Sequence, residues 1–194
     1  MADALRSRLL EGVADLDIEL STAQIDRLLD YLELLVKWNG AYNLTAVRDP
    51  ADMVTRHLLD SLAVAPLLAG ERFIDVGTGA GLPGVPLAIA CPASSFDLLD
   101  SNGKKTRFLF QVKTALALDT MGVHQARVES FQSSRPFDAV LSRAFASLGD
   151  MIKGCRHLLA PGGRFLAMKG QYPEDELAAL DAGVELLASH RLQI

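Results

Sequence analysis

The chain has 194 residues, 49% of them hydrophobic, enough to bury the core of one domain with an appendage. Its net charge of −5 comes wholly from residues 1–70, where six Lys/Arg face eleven Asp/Glu, while the remainder carries thirteen of each. No global basic field exists to hold nucleic acid unselectively, so any such partner must be held by a local patch. Charges scattered through Met1 to Glu11 exclude a signal peptide or membrane span, and a cytosolic protein is expected. Cys91 and Cys155 lie in unrelated apolar segments without metal-ligand spacing, so neither a disulfide framework nor a metal site is expected.

Leu5, Leu9, Leu10 and Val13 predict a short first helix. Ser21 with Gln24 forms a capping-box pattern ahead of Ile25, Leu28, Leu29, Leu32, Leu35 and Val36, so a second helix is expected to run to Trp38-Asn39-Gly40. Asp49-Pro50 opens a third, carrying Met53, Val54, His57, Leu58, Ser61 and Leu62. These helices, residues 1–70, form a cap. Residues 71–194 then alternate strand and helix as one compact unit. Strands are expected at 73–76, 95–99, 122–128, 137–141 and 164–168, with a sixth over 184–188. Helices are expected at 83–90, 104–118, 148–159, closed by Pro161-Gly162-Gly163, and 174–181. Repeated strand–helix units imply an α/β fold with a parallel sheet covered on both faces.

Phe73 to Gly84 reads as strand, glycine turn and helix, with Pro83 in the first helical turn. Gly77, Gly79 and Gly81 let a ligand lie against backbone amides, where the new helix also presents unsatisfied N–H groups. Gly79-x-Gly81-x-x-Gly84 also satisfies the dinucleotide fingerprint, but Asp75 at the end of the first strand would repel a pyrophosphate and attract an ammonium. Asp100 closes the second strand at the place from which a carboxylate reaches both ribose hydroxyls. S-adenosylmethionine offers both groups. A nicotinamide-dependent oxidoreductase and a non-catalytic RNA-binding assembly factor are the alternatives. His57, Asp60 and Ser61 crowd one helical turn and cannot converge on one carbonyl as a hydrolase triad must; capping or bridging the helical cover onto the sheet, or meeting RNA with Arg56, is expected of them. Trp38 is expected in the core.

Asn43-Leu44-Thr45, Arg56-His57 with Asp60-Ser61-Leu62, Asp75 to Pro86, Asp100 to Lys105, Ser142 to Ala146 and Lys169-Gly170 resemble the bacterial small-subunit ribosomal RNA guanine-N7 methyltransferases, over about residues 30–170. The resemblance implies a Rossmann-like class I S-adenosylmethionine-dependent methyltransferase fold with an N-terminal helical extension. It also implies methylation of one guanosine in the decoding-region loop of 16S rRNA. By position, Gly77, Leu82, Val128, Glu129 and Arg143 match the family's cofactor contacts, joined by Gly79 and by Asp75 and Asp100 in general methyltransferase roles. Ala80 stands where many members have proline, and the family usually continues past Ile194 through a final strand pair, so the sheet is short by a strand or the chain truncated.

Lys104, Lys105, Arg143 and Lys169 all follow predicted strand ends and are expected to rim the site. Arg56, Lys104, Lys105 and Lys169 are the candidate RNA contacts; Arg143 and Lys169 are the candidates for substrate positioning. Arg143 has three possible roles: anchoring a phosphate, binding the guanine edge or fixing the cofactor loop. Guanine N7 carries a lone pair at neutral pH, so no essential general base is expected. The expected partner is 16S rRNA or, given the modest positive charge, a partly assembled small-subunit particle, with the protein a monomer.

Overall fold

The computed structural model describes residues 2–143, 145, 147–180 and 183–191. Five parallel strands, β1 (Arg72–Val76), β2 (Ser95–Asp100), β3 (Met121–Gln125), β4 (Phe137–Ser142) and β5 (Leu159–Ala167), lie in the order β3-β2-β1-β4-β5. The central register of the sheet, β1 between β2 and β4, pairs Asp75 with Leu98 on one side and Leu141 on the other. That pairing places the end of β1 at the centre of the sheet's carboxyl edge, where the chain order reverses and ligands of open α/β sheets bind.

One face of the sheet buries Phe73, Phe96, Leu98 and Met121 beneath α5 (Gly84–Ala90), α6 (Gly103–Ala115) and the N-terminal helices α1 (Ala2–Asp15) and α2 (Thr22–Tyr42). The other buries Ile74, Val76, Leu99 and Val140 against Met151 and Cys155 of α7 (Leu148–Cys155). Strands with apolar residues on both faces are what a doubly covered parallel sheet requires. The N-terminal helices share one continuous core with the sheet: Ile25, Leu28, Leu32 and Leu35 of α2 pack in the same cluster as Leu87 and Phe108.

In α2 the capping box forms as the sequence predicts, with Ser21 Oγ accepting from Gln24 N and the Gln24 side chain accepting from Ser21 N. The Gln24 amide also donates to the Ile89 and Ala90 carbonyls, tying this cap to the end of α5. The helix does not stop at residues 38–40. It runs through Gly40 to Tyr42 and ends at Asn43, whose left-handed backbone (φ 50°) lets its N–H close on Asn39 O. Tyr42 stacks on Trp38 with ring centroids 5.1 Å apart, and Trp38 packs on Phe108, so the tryptophan adjoins the core as expected.

The third helical stretch contains a feature that periodicity did not reveal. Between α3 (Pro50–Met53) and α4 (Asp60–Leu62), Val54–Leu59 form a π-helical turn, a widening found frequently at functional sites.

Several expected boundaries are corrected. Pro83 is not in the first helical turn but caps α5, because the glycine turn runs through it. α6 ends at Ala115, where the chain turns over at Ala117 (φ 51°), rather than at Leu118. β3 stops at Gln125 instead of Val128: Gln125 pairs with Asp100, the last residue of β2, and beyond it no partner strand remains. Val128 instead begins a 3-10 turn, Val128–Ser130. α7 ends at Cys155, and Pro161-Gly162-Gly163 does not follow a helix but lies within β5. There the register jumps from Phe137↔Leu159 to Ala139↔Arg164, a bulge that an edge strand tolerates. α8 covers Glu174–Ala178, and Asp181 lies outside the described residues. Residues 184–188 form no strand; among the described residues β5 pairs only with β4.

Candidate active site

The centre of the site is a carboxylate under a turn. Asp75 is fully buried at the end of β1; its Oδ2 accepts from Thr78 Oγ1 at 2.6 Å and from Gly84 N at 2.9 Å. Since Pro83 has no side-chain cap to offer, Asp75 supplies one across the turn, satisfying an orphan N–H at the start of α5. Gly84 is required by this approach, because a Cβ there would stand 2.9 Å from Asp75 Oδ2 and 3.0 Å from Leu98. Asp75 Oδ1 is buried with no hydrogen-bond partner among the described residues. Burial therefore pushes the carboxyl up to about 6, although the Thr78 and Gly84 bonds and the nearby Arg143 charge all pull it down.

The turn itself is laced to β2. Gly77 N and Thr78 N both donate to Leu99 O, and Gly79 N donates to Asp100 Oδ2 at 3.0 Å. Gly77, Gly79 and Gly81 have φ of 69°, 62° and 95°, a left-handed path that only glycine follows cheaply. From the N-terminal side the fully buried Tyr31 of α2 donates its hydroxyl to Ala80 O at 2.8 Å. Asp100 accepts from Asn102 N at Oδ1 and from Gly79 N and Lys105 Nζ at Oδ2, so each oxygen holds a bond within the protein. Oδ1, with one of its two lone-pair sites used, keeps capacity for a further donor.

Above the turn opens a cleft of about 460 Å³, lined by Gly77 to Ala80 and Leu82 on one side and by Leu44, Thr45 and Asp60 on another. Arg143, Met168, Lys169 and Gly170 complete it from the ends of β4 and β5. Arg143 Nη1 donates to Asp60 Oδ2 at 2.9 Å, joining the sheet to α4. Lys169 pairs with Glu176 of α8 at 2.9 Å, and that bond, with one from Leu148 N, holds the glutamic acid below its usual range. The Thr45 hydroxyl donates to His57 Nε2 at 2.8 Å, with Nδ1 turned to the Arg56 carbonyl; burial holds His57 below its usual pKa and hence neutral.

The structure thus brings together Gly77, Gly79, Leu82, Arg143 and Lys169 at one cleft, with Asp75 buried beneath its turn and Asp100 beside it. Val128 and Glu129 follow β3 and Lys104 and Lys105 open α6; they share the sheet's carboxyl edge but do not line the cleft. Arg56 is exposed on the π turn. His57, Asp60 and Ser61 do not converge: they reach Thr45, Arg143 and the His57 carbonyl respectively. No group of three or more His, Cys, Asp or Glu that could hold a metal exists among the described residues. Sequence reasoning missed Tyr31, whose spacing on α2 marks it only as core. It also gave no role to Leu44 and Thr45, whose one signal was their place in the motif Asn43-Leu44-Thr45.

A β3-β2-β1-β4-β5 sheet with an acid-backed glycine turn after β1 and an acid closing β2 has the Rossmann-like fold of class I S-adenosylmethionine-dependent methyltransferases. The solved structure of coclaurine N-methyltransferase, bound to N-methylheliamine and SAH, shares it with a TM-score of 0.52 at 13% identity, covering 86% of this chain and 58% of that one. The chain belongs to the family described as rRNA small subunit methyltransferase G, whose sequence model matches residues 24–194, and is an S-adenosylmethionine-dependent methyltransferase. The ribosomal RNA small subunit methyltransferase G of Saccharophagus degradans is 56% identical over 187 residues, 96% of this chain and 84% of that protein. The protein of the same name from Cellvibrio japonicus is 54% identical over 195 residues, covering 98% and 89%, and that of Escherichia coli O17:K52:H18 is 53% identical over 188, covering 97% and 91%.

Proposed function

We propose that this protein transfers the methyl group of S-adenosylmethionine to N7 of a specific guanosine in the 16S rRNA of the small ribosomal subunit. The observation that carries the proposal is that the acid-backed turn and two cations, Arg143 and Lys169, line a single cleft. Family membership supports the RNA substrate. A cytoplasmic, monomeric enzyme belongs to the same reading; no helix among the described residues is long and apolar enough to cross a membrane.

The donor set fits the cofactor. Gly77 and Gly79 bring backbone close without Cβ atoms, Leu82 adds an apolar wall, and the orphaned Asp75 oxygen leaves a negative charge beneath the turn for an ammonium above it. In this reading Asp100 takes the ribose hydroxyls, and Val128 and Glu129, farther along the same edge, take the base. When bound, S-adenosylmethionine supplies an electrophilic methyl on a sulfonium.

The protein's own task is alignment. Guanine N7 offers its lone pair without losing a proton, and the titratable groups in and beside the cleft are already partnered: Asp60 with Arg143, Lys169 with Glu176, and the neutral His57 with Thr45. None is needed as a base. Holding two reactants in line accounts for about 7–11 kcal/mol of barrier reduction. Arg143 and Lys169 draw the RNA in, with Arg56, Lys104 and Lys105 as outer phosphate contacts on the same edge. Specificity then rests on a shaped pocket for one unstacked base, as single-stranded RNA allows.

The test is transfer of labelled methyl to RNA from methylation-deficient ribosomes, offered both naked and as small-subunit particles, with the product mapped to nucleotide and atom. N7-methylguanosine at one site, formed faster on the particle, is expected. Label on a pyrimidine or a ring carbon contradicts the proposal.

A further inference from the structure

We propose that Asp60 and Arg143 read the target base together, Asp60 accepting from the N1–H and 2-amino group of guanine and Arg143 donating to its O6. This rests on the reading of the reaction as transfer to guanine N7. The two side chains meet across the cleft at 2.9 Å, one from α4 and the other from the end of β4, and are 32% and 27% exposed, so a base edge can reach both. Only Oδ2 of Asp60 bonds to Arg143; Oδ1 has no hydrogen bond among the described residues. A half-exposed pair of this kind contributes little to stability, so its place in the cleft calls for another account.

Side by side, a guanidinium N–H and a carboxylate oxygen present donor and acceptor. Guanine presents the complement, with O6 accepting beside N1–H and the 2-amino group donating. Adenine presents the reverse, an amino group where O6 would be and an acceptor at N1, so it sets donor against Arg143 and bare acceptor against Asp60. A mismatch of buried polar groups is the strongest kind of discrimination a binding site makes. The hold is on the Watson–Crick edge, which leaves N7 without a protein partner. Leu44 and Met168 line the same cleft and supply apolar surface for the faces of the ring. Asp60 thereby becomes a specificity residue, and its pairing with Arg143 keeps the guanidinium aligned before the RNA arrives.

The experiment compares wild type with Asp60→Asn on 16S RNA carrying guanosine or inosine at the mapped position. Inosine keeps O6, N1–H and N7 but lacks the 2-amino donor. Wild type should lose about tenfold in kcat/KM on inosine. Asp60→Asn should lose on the order of a hundredfold on guanosine, treat the two bases alike, and bind S-adenosylhomocysteine within about twofold of wild type. A wild type indifferent to the 2-amino group, or an Asp60→Asn enzyme that keeps the wild-type preference, overturns the inference while leaving N7 transfer intact. A wild type that methylates no guanine N7 overturns the underlying reading instead. Should the variant not fold, the wild-type comparison of the two bases decides alone.

Discussion

The Tyr31 hydroxyl donates to the Ala80 carbonyl at 2.8 Å, so a helix from the N-terminal third of the chain holds the glycine turn that follows β1. Both residues are buried, and burial raises the tyrosine's pKa far above its usual value, leaving a neutral donor at every working pH. Tyr31→Phe removes the donor and strands a buried carbonyl. It should cost about 1–3 kcal/mol of stability. Loosening of the turn should also weaken S-adenosylhomocysteine binding by up to about tenfold, a figure equal to one lost hydrogen bond. Thermal unfolding and calorimetry check the two halves.

Asp75 makes cofactor binding depend on pH. Its carboxyl is raised from 3.8 to about 6 in the folded protein, so the folded state holds an extra proton between those values. The contribution to stability is therefore present below the unfolded pKa and lost as pH rises through about 6. An ammonium above the turn favours the ionised form, so affinity for S-adenosylhomocysteine should rise with pH by up to about tenfold per unit below about 6 and level off above it. Titrations from pH 5 to 7.5 should show this slope, and Asp75→Asn should bind weakly with the slope gone.

How far the glycines are fixed by their surroundings differs from site to site. A Cβ at Gly81 would lie 2.5 Å from Val85 Cγ2 and 2.7 Å from Leu109 Cδ2, at a backbone φ of 95°. Gly81→Ala should cost about 3 kcal/mol or more. A Cβ at Gly40, inside α2, would meet nothing within 4 Å, so Gly40→Ala should add about 0.5–1 kcal/mol. Urea unfolding of the two variants should move in opposite directions.

What could be read from residues alone follows from the range over which each signal acts. The capping box at Ser21 and the acid–glycine run after β1 are local, and both stand where patterning puts them. Chain ends of elements are set by partners instead. β3 ends where β2 ends, and β5 absorbs Pro161-Gly162-Gly163 because an edge strand can carry a bulge that no composition rule distinguishes from a helix stop. The π turn is invisible to a 3.6-residue period, yet it immediately precedes Asp60, the residue that meets Arg143. Tyr31 and Thr45 reach the site from α2 and the loop after it, 49 residues before Ala80 in one case, which spacing within a helix cannot reveal.

The central claim is that the turn over Asp75 seats S-adenosylmethionine. Titration calorimetry of the purified protein with S-adenosylhomocysteine, run beside NAD, addresses it most directly. Stoichiometric heat with the first ligand and none with the second is the predicted result. Silence with S-adenosylhomocysteine, or binding of NAD in its place, would contradict it.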